Sequence, residues 1–455
     1  MAPGLGRLGA GAGGASADKG TGLSAGLGEL DKFINRRAVP DKFINVRSPV
    51  TNPFQPGSDV VPAVWAGRTS QLSDWQDILR PRLAAGLWER GRTILGEPGL
   101  GKSSLVRRIA GDAERRGDWV TPQIRLALGT DPVKRLATEI LRLADKAGLS
   151  AGREHRISDL LRRVQSVALS GASLSLRGAE GQEPHTALTD LLVEIGHAAI
   201  DRDAVVVIHL DEIQNITDEA ALSQVLIALG DAITFTTEVD VPGLGLVERS
   251  LPIAVYLTGL PDFAEASGAR KGATFSRRFA TTVLTPIDDD DLRSALREFV
   301  VAGWEVPDGA GSTSVVHLAP DAAEVIVDVC RGEPFLFQLA GQAAWYAGTG
   351  DVITRADAVR GWRSAAAEAT PHVERILERL PPRERDFVLA MAKLDATERT
   401  LTRISTDAGF SRSTDAGPTS QRLDRVRGII DRGTRYRFRH RAVEAFLTSD
   451  WPAVE

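Results

Sequence analysis

The nine residues GEPGLGKSS, at positions 96–104, have the types and the spacing of a loop that binds phosphate. They fit the pattern Gly-x-x-x-x-Gly-Lys-Ser, in which Lys102 reaches the outer phosphates and Ser103 ligates a magnesium ion. The glycines let backbone N–H groups turn onto phosphate oxygens, and the helix that follows adds the partial positive charge of its first turn. We therefore predict that this loop binds ATP with Mg²⁺. Its residues are Gly96, Glu97, Pro98, Gly99, Leu100, Gly101, Lys102, Ser103 and Ser104.

Two carboxylates, Asp211 and Glu212, follow the apolar run VVVIHL. A carboxylate at the carboxyl end of a buried strand lies where parallel sheets bind ligands, so Asp211 is the predicted second magnesium ligand. Glu212 is the predicted general base, which polarises the attacking water. His209, inside the strand, is interpreted as a structural histidine. These two carboxylates therefore predict that the protein hydrolyses ATP as well as binding it.

The elements around these residues alternate between strand and helix. The run RTIL precedes the loop, and AVVVIHL and IAVYLTGL come later, rich in β-branched residues and without polar alternation. Such runs are typical of parallel strands covered on both faces. We expect an α/β fold, a doubly wound parallel sheet with helices on both faces and right-handed crossovers. The pattern also predicts helices over 69–90, 131–147 and 185–201 and a second strand in VTPQIRLAL.

Changes of composition divide the chain of 455 residues into four parts. Residues 1–48 are a Gly-rich tail, disordered to about residue 28, and a linker in which DKFIN occurs twice. Residues 49–287 form the P-loop core, with an insertion at about 148–184. Residues 288–370 are predicted as helices only, an all-α lid, and residues 371–455 as a small winged-helix domain.

The composition indicates a globular protein without a membrane partner. Apolar residues make up 43% of the chain, and the net charge of -5 provides no overall field that would favour nucleic acid, so any basic surface must be local. The sequence lacks both a signal-peptide pattern and an apolar run of about 18 residues. We expect a soluble, cytoplasmic protein. The single cysteine, Cys330, lies in an apolar run and is interpreted as a buried structural thiol.

The phosphate loop and the Asp-Glu strand together resemble P-loop ATPases that carry a catalytic glutamate. Further residues narrow the resemblance to the AAA+ and STAND ATPases, including origin-recognition-type ATPase domains. In YLTGLPDF, Thr258 matches the polar residue that senses the γ-phosphate or the water in that family. In FSRRFATTV, Arg277 and Arg278 match the arginine finger, which implies a homo-oligomer in which one subunit reaches its neighbour's nucleotide. The alternative for these two arginines is a solvated surface pair.

Two further motifs of this resemblance frame a pocket for adenine. WAGRTSQL resembles the family's entry to that pocket and places Arg68 there, although Gln71 stands where the family has glutamate. In CRGEPFLF, Pro334 matches a lid proline that packs on adenine. Phe335 and Leu336 follow, where origin-recognition-type proteins have an arginine. Both departures favour slow hydrolysis, as in a switch controlled by nucleotide.

The last part of the chain resembles a winged helix, with three short helices followed by TRYRFRH. Strict alternation there places Tyr436 and Phe438 on one face and arginines on the other. Between Gln421 and Arg441 there are eight arginines and two aspartates. One interpretation is that the module binds double-stranded DNA. The other is that it closes over the core or binds a protein, its arginines paired with acidic groups such as the 288–291 aspartates. The candidate DNA-binding residues are Arg422, Arg425, Arg435, Arg437 and Arg439.

The sequence thus predicts an ATP-binding and ATP-hydrolysing protein whose lid and winged helix move with nucleotide state. Two alternatives differ in what the nucleotide controls. A regulator of transposition or replication would assemble on DNA with ATP. A signalling or defence switch would be monomeric with ADP and would assemble when a partner protein binds.

Overall fold

The structure is a computed structural model that describes residues 46–57, 60–148, 184–243, 245–263, 277–307 and 313–454. These residues belong to one compact unit that begins at Val46. The disorder expected in the first 28 residues, the DKFIN duplication and nearly all of the expected insertion lie outside the described residues.

The core contains a parallel sheet and a separate hairpin. Its strands are β1 (Gly91–Leu95), β2 (Trp119–Val120), β3 (Ile124–Arg125), β4 (Val206–Asp211), β5 (Thr236–Val241), β6 (Gly245–Ser250), β7 (Ile253–Gly259) and β8 (Phe279–Val283). The order across the sheet is β2-β4-β7-β1-β8, with β3 also paired to β4, and every pair is parallel. Because the strands are parallel, the carboxyl ends of β1, β7 and β4 lie side by side at one edge.

Helices cover both faces of this sheet. They are α1 (the consecutive segments Thr69–Ser73, Asp74–Leu79 and Arg80–Ala84), α2 (Lys102–Arg115), α3 (Pro132–Lys146), α4 (Pro184–Ile200) and α5 (Glu219–Thr234). Strand parity divides the apolar side chains of β4 between the two layers. Val206, Ile208 and Leu210 pack with α3, α4 and α5, whereas Val207 packs with α1 and α2. The expected doubly wound arrangement is present.

Three elements of the core differ from the expectations. The first helix ends at Ala84 rather than near residue 90, and Gly86, with φ +75°, turns the chain back. VTPQIRLAL forms two short strands instead of one, because Pro122 between them has no N–H for a sheet. The hairpin of β5 and β6 was not predicted, although valines alternate with acidic residues before the turn at Pro242 and Gly243.

The lid contains strands as well as helices, so the expectation of helices alone was wrong. Its elements are α6 (Asp289–Val301), β9 (Trp304–Pro307), β10 (Thr313–Leu318), α7 (Pro320–Cys330), α8 (Pro334–Tyr346), β11 (Val352–Ile353) and α9 (Arg355–Glu378). Strands β9, β10 and β11 form a small sheet. These strands are short and lie between long helices, so their alternation spans too few residues to stand out.

The C-terminal part has the helices and the hairpin of a winged helix, followed by a further helix. Its elements are α10 (Pro382–Ala392), α11 (Leu401–Asp407), α12 (Gly417–Arg425), β12 (Ile430–Asp431), β13 (Arg437–Phe438) and α13 (Arg441–Thr448). Helix α9 runs through the expected boundary at 370/371. Leu292 of the lid and Leu423 of α12 belong to one hydrophobic cluster. The lid and the winged helix therefore share a core.

Residues 46–57 pack on the lid rather than on the sheet. Arg47 is buried and bonds to Asp357 Oδ2 at 3.0 Å and to the carbonyl oxygen of Gly350 at 2.7 Å. Phe54 is buried against Gly341 of α8. This stretch had been assigned partly to the linker and partly to the core.

The sole cysteine, Cys330, is fully buried, as expected, and burial raises the pKa of its thiol to about 12. Within the described ranges, no helix combines the length and the apolarity that crossing a bilayer requires.

The contact between α8 and α9 offers a test of lid packing. A Cβ on Gly361 would lie 2.4 Å from the backbone oxygen of Ala343, so α8 and α9 would have to move apart. We expect Gly361→Ala to lower the free energy of unfolding by about 2 kcal/mol, since overpacking outweighs the gain in helix propensity. Urea denaturation measures the change. The control is Gly350→Ala, whose Cβ meets nothing within 4 Å; equal stability of the two variants would contradict the packing.

Candidate nucleotide-binding site

The phosphate loop connects the end of β1 to the start of α2 and is shaped by two glycines. Gly99 has φ +85° and Gly101 has φ +79°, a left-handed region that residues with a Cβ rarely adopt. Gly101 precedes the first turn of α2, whose N–H groups lack partners within the helix. The loop therefore presents backbone donors and the positive end of a helix to an anion.

The ammonium group of Lys102 lies against this loop. It donates to the carbonyl oxygens of Gly96 at 2.8 Å and of Glu97 at 3.1 Å. Burial lowers the pKa of Lys102, against the raising effects of Glu97, Glu212 and Asp211. The side chain also lines the cavity beside the loop. A phosphate that enters the cavity meets this positive charge.

Asp211 and Ser103 meet at the carboxyl edge of the sheet. Ser103 Oγ donates to Asp211 Oδ2 at 3.1 Å, and Thr258 donates to Oδ1. His209 Nε2 lies 2.9 Å from Thr258 Oγ1, and it must be the donor because the threonine proton is directed at Asp211. Burial raises the pKa of Asp211, but the Thr258 hydrogen bond, followed by His209 and Gln123, outweighs burial and lowers it. Asp211 is therefore ionised at neutral pH.

This donor set fits a magnesium ion. Mg²⁺ takes oxygen ligands and is commonly held by one or two protein groups together with phosphates and waters. A serine hydroxyl and a carboxylate of lowered pKa, 3.1 Å apart beside the phosphate loop, are ligands of that kind. Ser103 and Asp211 are the residues that would hold the ion.

Glu212 follows β4 in a conformation that is rare for a residue with a side chain. Its φ is +59°, and such strain concentrates at functional sites. The N–H group donates to Asp211 Oδ1 at 3.0 Å, and the carboxylate accepts from Gln214 and lines the cavity. Glu212 is thus next to the candidate magnesium ligands and open to the cavity, as a general base must be.

A cavity of about 540 Å³ extends from the phosphate loop to the residues that precede α1, a volume that suits a nucleotide-sized ligand. Arg68 lines it and donates to the carbonyl oxygens of Thr285 at 2.8 Å and Leu100 at 2.9 Å. Burial lowers the pKa of Arg68 to about 10. On the lid side, Pro334 lines the cavity and packs next to Gly101. The two expected adenine-pocket residues therefore share a cavity with the loop.

Six of the expected site residues do not line this cavity: Gly96, Glu97, Asp211, Thr258, Arg277 and Arg278. Thr258 is fully buried, and its contact with the site is the hydrogen bond that it donates to Asp211. Arg278 forms an ion pair with Asp231 of α5, whereas Arg277 is exposed. A role for Arg277 as an arginine finger would accordingly be in the site of a neighbouring subunit.

Helix α9 forms a wall of the cavity that the sequence patterns did not indicate. Pro371, His372 and Arg375 line the cavity, and one turn further Arg379 Nη1 lies 2.9 Å from Glu97 Oε2. The sequence shows polar residues at helical spacing after Pro371, which predicts a helix. Such spacing does not indicate which loop that helix covers.

Two buried carboxylates, one in the loop and one at the start of α8, lie next to basic side chains from α9 and from the winged-helix part. Burial raises the pKa of Glu97, and the positive charge of Arg379 opposes the rise only in part. Glu333 lies 3.0 Å from His440 Nε2 and 3.5 Å from His372 Nε2. Burial raises the pKa of Glu333 too, but His440 and then His372 outweigh it and lower that pKa. These pairs connect the phosphate loop and the lid to the winged helix.

The five candidate DNA-binding arginines divide into two groups. Arg422 lies 2.7 Å from Glu384 and Arg439 lies 2.7 Å from Asp424, so both pair within the domain. Arg425, Arg435 and Arg437 are exposed. Tyr436 and Phe438 are buried, as the alternation predicted. Arg441 pairs with Asp289 at 2.6 Å, a pairing with the 288–291 aspartates that the alternative to DNA binding expected.

The fold and the site together define a P-loop NTPase core with a lid and a C-terminal winged helix. Among solved structures, the chain is similar to the ORC2 protein of Aeropyrum pernix in its ADPNP–ADP complexes. The TM-score is 0.50 at 16% identity, over 86% of this chain and 95% of that chain. It is also similar to a Walker-type ATPase of Pyrococcus abyssi, with a TM-score of 0.48 at 16% identity, over 88% of this chain and 99% of that one.

No protein-family model matches the chain, and no curated protein sequence matches it significantly. At 16% identity the likeness to ORC2 shows the fold alone. The expected resemblance to origin-recognition-type AAA+ ATPases is therefore confirmed as a resemblance of fold.

The pair of Glu97 and Arg379 supplies a test of how α9 is held on the loop. Arg379→Ala leaves a buried carboxylate without its nearest cation, which we expect to cost about 2 kcal/mol near pH 8, reduced because Arg379 is partly exposed. Since the folded-state pKa of Glu97 is already raised and then rises further, the loss should grow as pH increases from about 5 to about 8. Urea denaturation across this range measures it.

The control is the double variant Arg379→Ala/Glu97→Gln. Its neutral amide has no proton to exchange, so its stability relative to Glu97→Gln should be independent of pH. A loss in Arg379→Ala that is the same at both ends of the range would contradict the pairing.

Proposed function

We propose that this protein binds ATP with Mg²⁺ between core and lid and hydrolyses it. The observation that carries the proposal is one cavity that brings together the phosphate loop, Lys102, Ser103, Glu212 and the lid residue Pro334. Beneath it, Asp211 lies 3.1 Å from Ser103. The likeness of fold to ORC2 of Aeropyrum pernix, a protein solved with ADPNP and ADP, supports the same reading.

Each residue has a role that its position supports. Backbone N–H groups of the loop and Lys102 bind phosphate oxygens, and Ser103 and Asp211 ligate the magnesium ion. Glu212 accepts the proton of the attacking water. Magnesium supplies charge neutralisation to the phosphates when bound. Thr258 keeps Asp211 ionised and oriented, and through it responds to the γ-phosphate.

The lid is proposed to respond to the nucleotide because it contacts the phosphate loop directly, and the winged helix because it shares a hydrophobic core with the lid. The N–H group of Phe335 donates to the carbonyl oxygen of Gly99 at 3.2 Å. Arg379 pairs with Glu97 of the same loop. A phosphate bound here adds negative charge next to these contacts. Nucleotide state is thereby coupled to the C-terminal half.

Two variants separate binding from hydrolysis. Lys102→Ala removes the cation of the loop and should abolish ATP binding measured by calorimetry. Glu212→Gln keeps the shape but cannot accept a proton, so it should bind ATP and lower kcat by about 10²-fold or more. Lys134→Ala, at an exposed lysine of α3, is the control. Equal ATP binding and equal phosphate release in all of these proteins would refute the assignment.

A second candidate function, binding of double-stranded DNA by the winged helix, rests on the exposed arginines of the hairpin. Arg435 and Arg437 point away from the buried Tyr436 and Phe438, and Arg425 of α12 is exposed as well. Arginines in such a group neutralise phosphates and release counterions. Together with Arg277 as a finger, this would describe a regulator that assembles on DNA with ATP.

The double variant Arg435→Ala/Arg437→Ala tests this surface. It should weaken duplex binding and reduce the slope of log K against log salt by about 2, one unit for each lost phosphate contact. Titrations with labelled duplex at several salt concentrations measure both. Arg297→Ala, at an exposed lid position, is the control. Absence of duplex binding by the unaltered protein, or binding that ignores salt, would exclude this function and favour a protein partner.

A further inference from the structure

Helix α9 presents three basic or titratable side chains to the phosphate loop at successive turns. His372, Arg375 and Arg379 are three and four positions apart, the spacing that places side chains on one face of a helix. His372 and Arg379 contact the phosphate loop, and these two contacts define where Arg375 lies between them.

His372 packs on the tip of the loop. A Cβ on Gly99 would lie 2.3 Å from His372 Cε1, so the imidazole is directly against this glycine. The ring also lies 5.0 Å from the ring of Phe335, whose N–H group donates to Gly99. Arg379, at the other end of the face, pairs with Glu97 Oε2 at 2.9 Å. Helix α9 is therefore fastened to the loop on both sides of Arg375.

Arg375 lies between these two attachments with its charge unused. It lines the cavity together with Lys102 and Ser103, and it is solvent-accessible there. Among the residues that the structure describes, its guanidinium has no hydrogen-bond or ion-pair partner. A cation on the wall of a phosphate-binding cavity that pairs with nothing in the protein is available to an anionic ligand.

Phe335 and Leu336 follow Pro334 in the first turn of the lid helix α8. Both side chains are apolar and serve packing; Leu336 is fully buried. The lid helix α8 therefore offers no cation at that point. Arg375 reaches the same cavity from a different helix, α9.

We propose that Arg375 binds the phosphate chain of the nucleotide held in its own subunit. This inference rests on the proposed ATP binding and adds a phosphate-contacting residue to it. A guanidinium is suited to the task because it stays charged and donates two parallel hydrogen bonds to phosphate oxygens. Since Arg375 belongs to α9, the helix that precedes the winged-helix part, its contact would also transmit the presence of phosphate to that part.

The test compares three substitutions of one side chain in the full-length protein. Arg375→Ala should weaken binding of a slowly hydrolysed ATP analogue by about tenfold or more, the effect of losing a charge-assisted hydrogen bond. Arg375→Lys keeps the charge but loses the two parallel hydrogen bonds, so its affinity should lie between those of the alanine variant and the unaltered protein. Arg375→Leu keeps apolar bulk at this position but removes the charge, and this variant should bind the analogue as weakly as the alanine variant does. Calorimetry with Mg²⁺ and the analogue measures all three.

Two outcomes would overturn the proposal. Unchanged affinity in Arg375→Ala would show that the side chain does not contact the ligand. Affinity retained by leucine but not by lysine would show packing on the base. Arg385→Ala, at an exposed arginine of α10, is the control for loss of a surface charge, and equal melting temperatures show intact folding.

The failure of the proposed function would look different. An unaltered protein that binds neither ADP nor the ATP analogue would refute ATP binding itself, whatever the variants do. If the unaltered protein binds the nucleotide and the Lys102→Ala variant does not, the site is established. The Arg375 variants then test only the further inference.

Discussion

The candidate site depends on three parallel strands that end at the same edge of one sheet. β1 leads to the phosphate loop and Ser103, β7 carries Thr258, and β4 ends at Asp211. β7 lies between the other two, so its threonine reaches the carboxylate that the serine also contacts. No local interaction would hold a serine and an aspartate 108 positions apart at 3.1 Å. The sheet does so because its strand order and hydrogen-bond register fix which strand ends lie next to each other.

Electrostatics ties the C-terminal half to this edge. Glu97 and Glu333 are almost completely buried, and an isolated ionised carboxylate in such surroundings is costly. Their basic neighbours are Arg379 and His372 of the α9 segment and His440 of the winged-helix part. Because each ion pair joins separate elements, moving the lid or the winged helix away from the loop exposes or unpairs a carboxylate. In the proposed function, a bound phosphate alters the same balance and so couples nucleotide binding to the C-terminal part.

The roles of individual residues changed once their neighbours were known. His209 was interpreted as structural, and it is buried in the sheet, yet it donates to the threonine that supports Asp211. Arg422 and Arg439 count toward a basic patch in the sequence, but ion pairs with Glu384 and Asp424 use their charge. Arg375 belongs to none of the sequence motifs, and only the tertiary structure shows that it lines the cavity beside the phosphate loop. Net charge along the sequence does not distinguish a paired cation from an available one.

The amino-acid sequence by itself determined the local features. The glycine loop needs left-handed backbone at Gly99 and Gly101, the apolar runs identify the strands, and alternation separates Tyr436 and Phe438 from the arginines around them. These follow from spacing over a few residues, where backbone geometry leaves few choices. The tertiary structure decided which helix covers the loop, which carboxylate each arginine pairs with, and that the lid includes a small sheet. Those outcomes depend on packing between segments up to about 300 residues apart, such as Glu97 with Arg379, and the energy of such contacts is not encoded in any local pattern.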